Sequence, residues 1–272
     1  MSVELYIKKD FSGYIIDGIE ATNNGDLCNM MVTRDLLSNE SVNSNSKKIR
    51  VCDIGADKGT WALMALSFCP SAEILCFEPN LKTFQESSTL QTKYPNLWWY
   101  NIAISDSYGT MHLVEAGSNS NSREENCDPC SLHTVEKYSL HKFLDPTDYI
   151  SLVKIDTEGH DIVILKDILS LAKENQIGSI ITEFSVYWYG TNPKECLDTS
   201  KEILKKYFAV FSHIYCFSRT FPVFLLEIQE KDIDEFCIQH YYMHLQTDLC
   251  FTRKPITSVP VFPYLEHVRY GG

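Results

Sequence analysis

Asp53, Asp57, Glu78, Asp156, Glu158 and Glu183, with His160 among them, are the side chains here best able to hold a cation or move a proton. The first three surround a glycine turn. In Lys48-Ile-Arg-Val-Cys-Asp-Ile-Gly-Ala-Asp-Lys-Gly-Thr-Trp61, the β-branched Ile49, Val51 and Ile54 mark a short buried strand. Gly55 and Gly59 open the turn, and an almost wholly apolar helix begins at Thr60. Strand, glycine turn and helix together bring backbone N–H groups up to a nucleotide-like ligand. A dinucleotide G-x-G-x-x-G started at Gly55 needs glycines at 57 and 60, where the chain has Asp57 and Thr60, and no Gly-Lys-Ser/Thr closes a P-loop. Asp53 at the strand tip and Asp57 in the turn repel a pyrophosphate and suit a cation. A sulfonium nucleotide such as S-adenosylmethionine meets that requirement; a tight βα turn with no ligand is the other reading.

Glu78 closes the next strand, Glu73-Ile-Leu-Cys-Phe-Glu78, near the roughly 20-residue offset at which a carboxylate meets ribose hydroxyls. Pro79-Asn80 starts a new helix directly after it. Further on, Asp156, Glu158, His160, Asp161 and Glu183 fall at or just beyond the tips of two later strands. An alcohol is a weak nucleophile until its proton leaves, so this concentration of proton acceptors suits transfer to a hydroxyl. His160 is the first candidate for the base because imidazole titrates near neutral pH; a packing or helix-start role is the alternative. Asp161 is explained by the helix dipole, and Glu183 by hydrogen bonds to a polyol or by an ion pair. Tyr187-Trp188-Tyr189 is placed either to meet a sugar face or to pack as a cluster.

The order of these segments carries a resemblance. Asp-Ile-Gly-Ala-Asp-Lys-Gly, Phe77-Glu78-Pro79-Asn80, Asn101-Ile-Ala-Ile-Ser-Asp106 with Gly109, Lys154-Ile-Asp-Thr-Glu-Gly159 and Ile181-Thr-Glu-Phe184 resemble, in sequence, the FkbM-type methyltransferases. The likeness covers about residues 49–184. The family usually has Asn where this chain has Asp57, and commonly an Asp where His141 follows Leu140. The resemblance implies an α/β fold of the Rossmann-like class I methyltransferase type. Its sheet is expected to be mostly parallel and seven-stranded, with helices on both faces and a C-terminal antiparallel hairpin. The implied cofactor is S-adenosylmethionine. Asp53, Gly55, Ala56, Asp57 and Gly59 are expected at its methionine end, Glu78 at the ribose, and Asn101 and Ala103 at the end of the third strand. His160, Asp156, Glu158 and Glu183 are the catalytic candidates. Asp156 and Glu158 are read as orienting substrate, assisting deprotonation or holding a divalent cation, for which nothing else in the chain speaks. The implied activity is O-methylation of a hydroxyl, foremost on a sugar or glycan. Methylation of a protein or small metabolite, and a cofactor-binding scaffold without catalysis, share the same cofactor residues.

At 272 residues the chain can bury a full core in one domain. We read residues 1–48 as an N-terminal cap and polar linker, 49–230 as the cofactor-binding domain and 231–272 as a C-terminal extension wrapped on its outside. With 24 Lys+Arg against 36 Asp+Glu the net charge is −12, which argues against a nucleic-acid partner. No run of about 18 apolar residues or signal-peptide core appears, so the expectation is a cytoplasmic protein without membrane insertion. The scattered cysteines read as reduced core thiols, and Cys127-Asp-Pro-Cys130 lacks the second pair that zinc requires. Trp98 and Trp99 point to opposite faces of the third strand. The polar stretch at 116–130 is read as a lid or an insertion. Pro193–Phe208 reads as an amphipathic helix, and 209–228 as a hairpin.

Overall fold

Runs of β-branched and aromatic residues with no polar alternation become strands buried on both faces, and they do so here in one large sheet. The computed structural model describes residues 6–7, 14–16, 19–21, 24–43, 48–116, 119–121, 132–220 and 222–264. A small antiparallel sheet of β1 (Tyr6–Ile7), β2 (Tyr14–Ile16) and β3 (Ile19–Ala21) precedes helix α1 (Asn24–Asn43). The chain continues through β4 (Arg50–Ile54), α2 (Thr60–Phe68), β5 (Glu73–Phe77), α3 (Leu81–Ser87) and β6 (Leu97–Tyr100). Next come β7 (Ala103–Ile104), β8 (Gly109–Ala116), β9 (Asn119–Asn121) and β10 (Leu132–Tyr138), a separate sheet ordered β7-β10-β8-β9. The core resumes with β11 (Ile150–Ile155), α4 (Asp161–Lys173), β12 (Ile177–Phe184), α5 (Pro193–Phe208) and β13 (His213–Phe217). It closes with β14 (Leu225–Ile228), α6 (Ile233–Tyr242), β15 (Thr247–Thr252) and β16 (Val261–Pro263).

The main sheet has nine strands in the order β6-β5-β4-β11-β12-β15-β13-β14-β16. β6, β5, β4, β11, β12 and β13 run one way, and β15, β14 and β16 run the other. The sheet is therefore wider than the seven strands expected. β13 and β14 do pair as an antiparallel hairpin, but the end of the sheet differs from the expectation in a second way. Residues 247–252 do not wrap the outside: β15 is wedged between β12 and β13, antiparallel to both. The prolines at 255, 260 and 263 gave the tail an irregular look, yet all of them lie beyond this strand.

Two apolar layers sandwich the sheet. One packs α4, α5 and α6 over residues such as Val153, Ile180 and Phe251, and the other packs α1 and α2 over Val51, Ile74 and Leu152. Local chemistry sets the helix starts. Asn80 Oδ1 accepts from the N–H of Lys82 and Thr83, and Asn192 caps α5 with Pro193 in its first turn. The helix expected to start at Pro79-Asn80 is divided into α3 and a 3-10 turn at Ser88–Thr92. α1 is held from both sides, by Trp61 Nε1 donating to Asn29 Oδ1 at 3.0 Å and by Thr257 N donating to Asp35 Oδ2 at 2.6 Å. Among the described residues eight cysteines are buried and free. Cys127, Cys130 and the rest of the 122–131 segment lie outside the described residues, as does residues 44–47 of the polar connector.

Phe251 tests the place of β15. It is 1% exposed and its ring meets Tyr207 at 4.7 Å. Phe251→Ala is expected to cost about 3–5 kcal/mol in urea unfolding. A loss under about 1 kcal/mol would mean that the strand only lies on the surface.

Candidate active site

The chain runs outward from β4 through β5 to β6, then returns to the other side of β4 as β11. A crevice must open where the order reverses, at the carboxyl ends of β4, β5 and β11, and ligands of open α/β sheets bind there. A cavity of about 560 Å³ occupies that place, a size suited to a small-molecule ligand. Its walls are Ile54, Gly55, Asp57 and Lys58 after β4; Phe77, Glu78, Asn80, Lys82, Thr83 and Glu86 after β5; and Asp156, Thr157, Glu158 and His160 after β11. Ile102, Ala103 and Ile104, with Met111 and Leu113 of β8, supply an apolar side.

The two loops that face each other here are tightly held. Gly55 has φ +78°, and a Cβ on it would lie 1.9 Å from the Asp156 carbonyl oxygen, so only glycine fits. Gly59, at φ +75°, caps α2, and a Cβ there would meet the Trp99 ring at 2.9 Å. Trp99 is thus the buried buttress of the turn, while Trp98 on the opposite face is 44% exposed. Asp57 and Glu158 also sit at positive φ, 45° and 54°, one in each loop. Non-glycine residues in that region carry strain of the kind that collects at ligand sites.

Glu78 is the clasp between β4 and β5. Its Oε2 accepts from Asp57 N at 2.9 Å and its Oε1 from Asn80 N at 2.8 Å. Burial pushes its carboxyl up, the two backbone N–H groups pull it down, and the charge of Asp57 raises it again. Each oxygen keeps a lone pair for a hydroxyl in the cavity. Asn101 does not line the cavity: its amide donates to the carbonyls of Glu78 and Pro79 and fixes the clasp from behind.

At the β11 end, His160 Nε2 lies 3.0 Å from Ser105 Oγ, and Ser105 donates to Asp106 Oδ1 at 3.3 Å. Ser105 therefore meets the ring as an acceptor, which puts the imidazole proton on Nε2 and leaves Nδ1 with the lone pair. Burial lowers the His160 pKa, Lys137 pushes the same way, and Asp106 opposes them. The ring is neutral at physiological pH. Asp161 starts α4 as expected, but it is buried, and its carboxylate accepts from Thr157 N and Gly159 N. Trp188 lies against Gly159, where a Cβ would be 3.3 Å from the ring. Tyr187 and His244 extend this aromatic cluster, which does not line the cavity, with ring centres 5.0 Å apart.

The structure brings Gly55, Asp57, Glu78, Ala103, Asp156, Glu158 and His160 to one cavity. Asp53, Ala56, Gly59, Asn101 and Glu183 do not line it. Asp53, expected at the methionine end, is fully buried, and Lys154 Nζ stands 3.3 Å from its Oδ1. Ala56 is buried in the turn, its N–H donating to the Phe77 carbonyl. Glu183 faces Asp248 across the β12–β15 ladder. Met111 and Leu113 escaped sequence reasoning because nothing local ties β8 to the main sheet. Lys82, Thr83 and Glu86 carry a readable signal, since they follow Asn80 on the first turns of α3. Among the described residues no group of three or more His, Cys, Asp or Glu is placed to hold a metal ion, and no helix is long and apolar enough to cross a membrane.

Behind the cavity, burial raises Glu183 to about 8, with Asp156, Asp161 and Glu158 adding to the effect. Burial and Asp156 likewise raise Asp248 to about 7 against the pull of Arg219. The folded state keeps these protons to higher pH than the unfolded chain, so their contribution to stability is lost as pH rises through 7 to 8. Above pH 6.5 the buried rings of His160 and His240, both lowered by burial, are already neutral and do not oppose this trend. Glu183→Gln is therefore expected to gain more stability over wild type at pH 8.5 than at pH 6.5, read as the difference in melting temperature. An equal effect at both pH values would contradict the assignment.

No protein-family model and no curated protein matches the chain. Among solved structures it is similar to the human methyltransferase 10 domain containing protein, with 10% identity over 84% of this chain and 82% of that one and a TM-score of 0.46. It is also similar to the precorrin-6y C5,15-methyltransferase of Geobacter metallireducens GS-15, with 11% identity, 83% and 87% coverage and a TM-score of 0.40. A third is the plantazolicin methyltransferase BpumL in complex with SAH, with 9% identity, 84% and 85% coverage and a TM-score of 0.41. All three are methyltransferases, and all three likenesses are distant.

Proposed function

We propose that this chain is an S-adenosylmethionine-dependent O-methyltransferase acting on a hydroxyl of a sugar or glycan. The observation that carries this reading is the charge of the cavity at the switch point. Asp57, Glu78, Glu86, Asp156 and Glu158 line it against Lys58 and Lys82, so a ligand with a net positive arm is favoured over a pyrophosphate. The donor fits these walls. The nucleoside half suits Glu78 and the apolar side made by Ile102, Ile104, Met111 and Leu113. The cationic half suits Asp57 and Asp156, whose side chain is 48% exposed. Bound there, the donor supplies a methyl group on a sulfonium.

The chain's own residues then have to align an acceptor and take its proton. His160 lines the cavity, and Nδ1 is the ring nitrogen left basic when Nε2 donates to Ser105, whose own proton goes to Asp106. Glu158, which lines the cavity and has a left-handed backbone, is suited to orient acceptor hydroxyls. What favours a sugar among acceptors is the aromatic pair Trp188 and Tyr187 next to the Glu158-Gly159 loop, outside the residues that line the cavity, since pyranose C–H faces pack on aromatic rings while carboxylates take the hydroxyls.

Labelled methyl transfer from S-adenosylmethionine into extracted glycans, metabolites and proteins tests the proposal. Label is expected in the carbohydrate fraction. His160→Ala should lower kcat/KM at least about 100-fold. Because the base must be neutral and burial lowers its pKa, wild-type rate should climb with pH to a midpoint below 6.5 and then level. Label confined to protein would redirect the acceptor assignment, and full activity in His160→Ala would remove the base.

A further inference from the structure

Lys154 is a buried cation that the proposed chemistry does not use. It stands on β11 beside its Cα partner Asp53 on β4, so the two side chains leave the sheet on the same face. Asp156, two residues on, shares that face. The Lys154 side chain is 9% exposed and that of Asp53 0%. Nζ lies 3.3 Å from Asp53 Oδ1 and 3.4 Å from Asp156 Oδ2, and it donates to the Gly55 carbonyl at 3.1 Å. Burial by itself lowers its pKa, but Asp53 and Asp156 outweigh burial and hold it above that of an ordinary lysine. Apart from this ion pair, neither oxygen of Asp53 has a hydrogen-bond partner among the described residues.

The three contacts differ in what they face. Asp53 is sealed in the core and anchors the ammonium from below. Asp156 is half exposed and lines the cavity, so the ammonium holds one of its oxygens and leaves the other to a ligand. Gly55 belongs to the turn that closes the same cavity. The three N–H donors of the ammonium thus tie one core carboxylate, one cavity carboxylate and one carbonyl of the turn to a single point.

We infer that Lys154 is a positioning residue for the methyl donor: it fixes Asp156 and the Gly55 turn as one rigid floor for the donor's amino-acid arm. This rests on the reading of the cavity as a donor site. It predicts a selective effect, because adenosine and S-adenosylhomocysteine share the nucleoside and only the second has that arm.

Calorimetric titration of both ligands is the test. In Lys154→Met/Asp53→Asn the buried carboxylate is neutralised together with its partner, which spares the fold an unpaired charge. S-adenosylhomocysteine is expected to bind this variant at least about tenfold more weakly than wild type, with adenosine changed less than about threefold. Asp156→Asn, which keeps the Lys154–Asp53 pair intact, should show the same selective loss even if the double variant does not fold. Equal losses for the two ligands, or wild-type affinity for S-adenosylhomocysteine in either variant, would overturn the assignment. Wild-type protein that binds neither ligand would remove the donor site itself, an outcome distinct from a failure of Lys154 alone.

Discussion

The tips of β4 and β11 come so close that only a glycine fits between them, and the site depends on this. Gly55 brings its Cα up to the Asp156 carbonyl, where a Cβ would sit 1.9 Å away. The Asp156 N–H donates to the Ile54 carbonyl at 3.0 Å across the same seam. The central strands therefore end at one level, and the loops after them turn apart. The opening between these loops is the cavity. Glycine at 55 leaves no side chain over this seam, so a ligand can come close to main-chain groups there.

Around this seam the chain gathers acids that would repel one another in an apolar setting. Their placement separates them by role. Asp53 is sealed inside with Lys154, Asp161 is spent on the backbone of its own loop, and Glu183 and Asp248 keep protons to unusually high pH. Asp57, Asp156 and Glu158 face the cavity. The buried members cost stability, and such costs persist where function over-determines them.

Much of this was legible in the sequence because it is local. The β-branched run before Gly55, the acid and proline that follow β5, and the Asn-Pro start of α5 each specify an element without help from distant residues. The positions of Gly55, Asp57, Glu78, Asp156, Glu158 and His160 around one opening follow from reading acids at strand ends. What escaped is non-local. β15 takes its place only because residues 247–252 find the exposed edge of β12, more than sixty residues earlier. The inward turn of Asp53 depends on a lysine about a hundred residues away. The apolar wall of Met111 and Leu113 comes from a second sheet whose register no short pattern announces.

A crystal structure of the protein grown with S-adenosylhomocysteine is the most direct test of the central claim, that the switch-point cavity receives a cationic nucleoside. The account predicts one molecule spanning the cavity, ribose hydroxyls on Glu78 and the amino-acid arm against Asp156 and the Gly55 turn. A ligand found elsewhere on the chain, or lying in the cavity with its ribose away from Glu78, would contradict it.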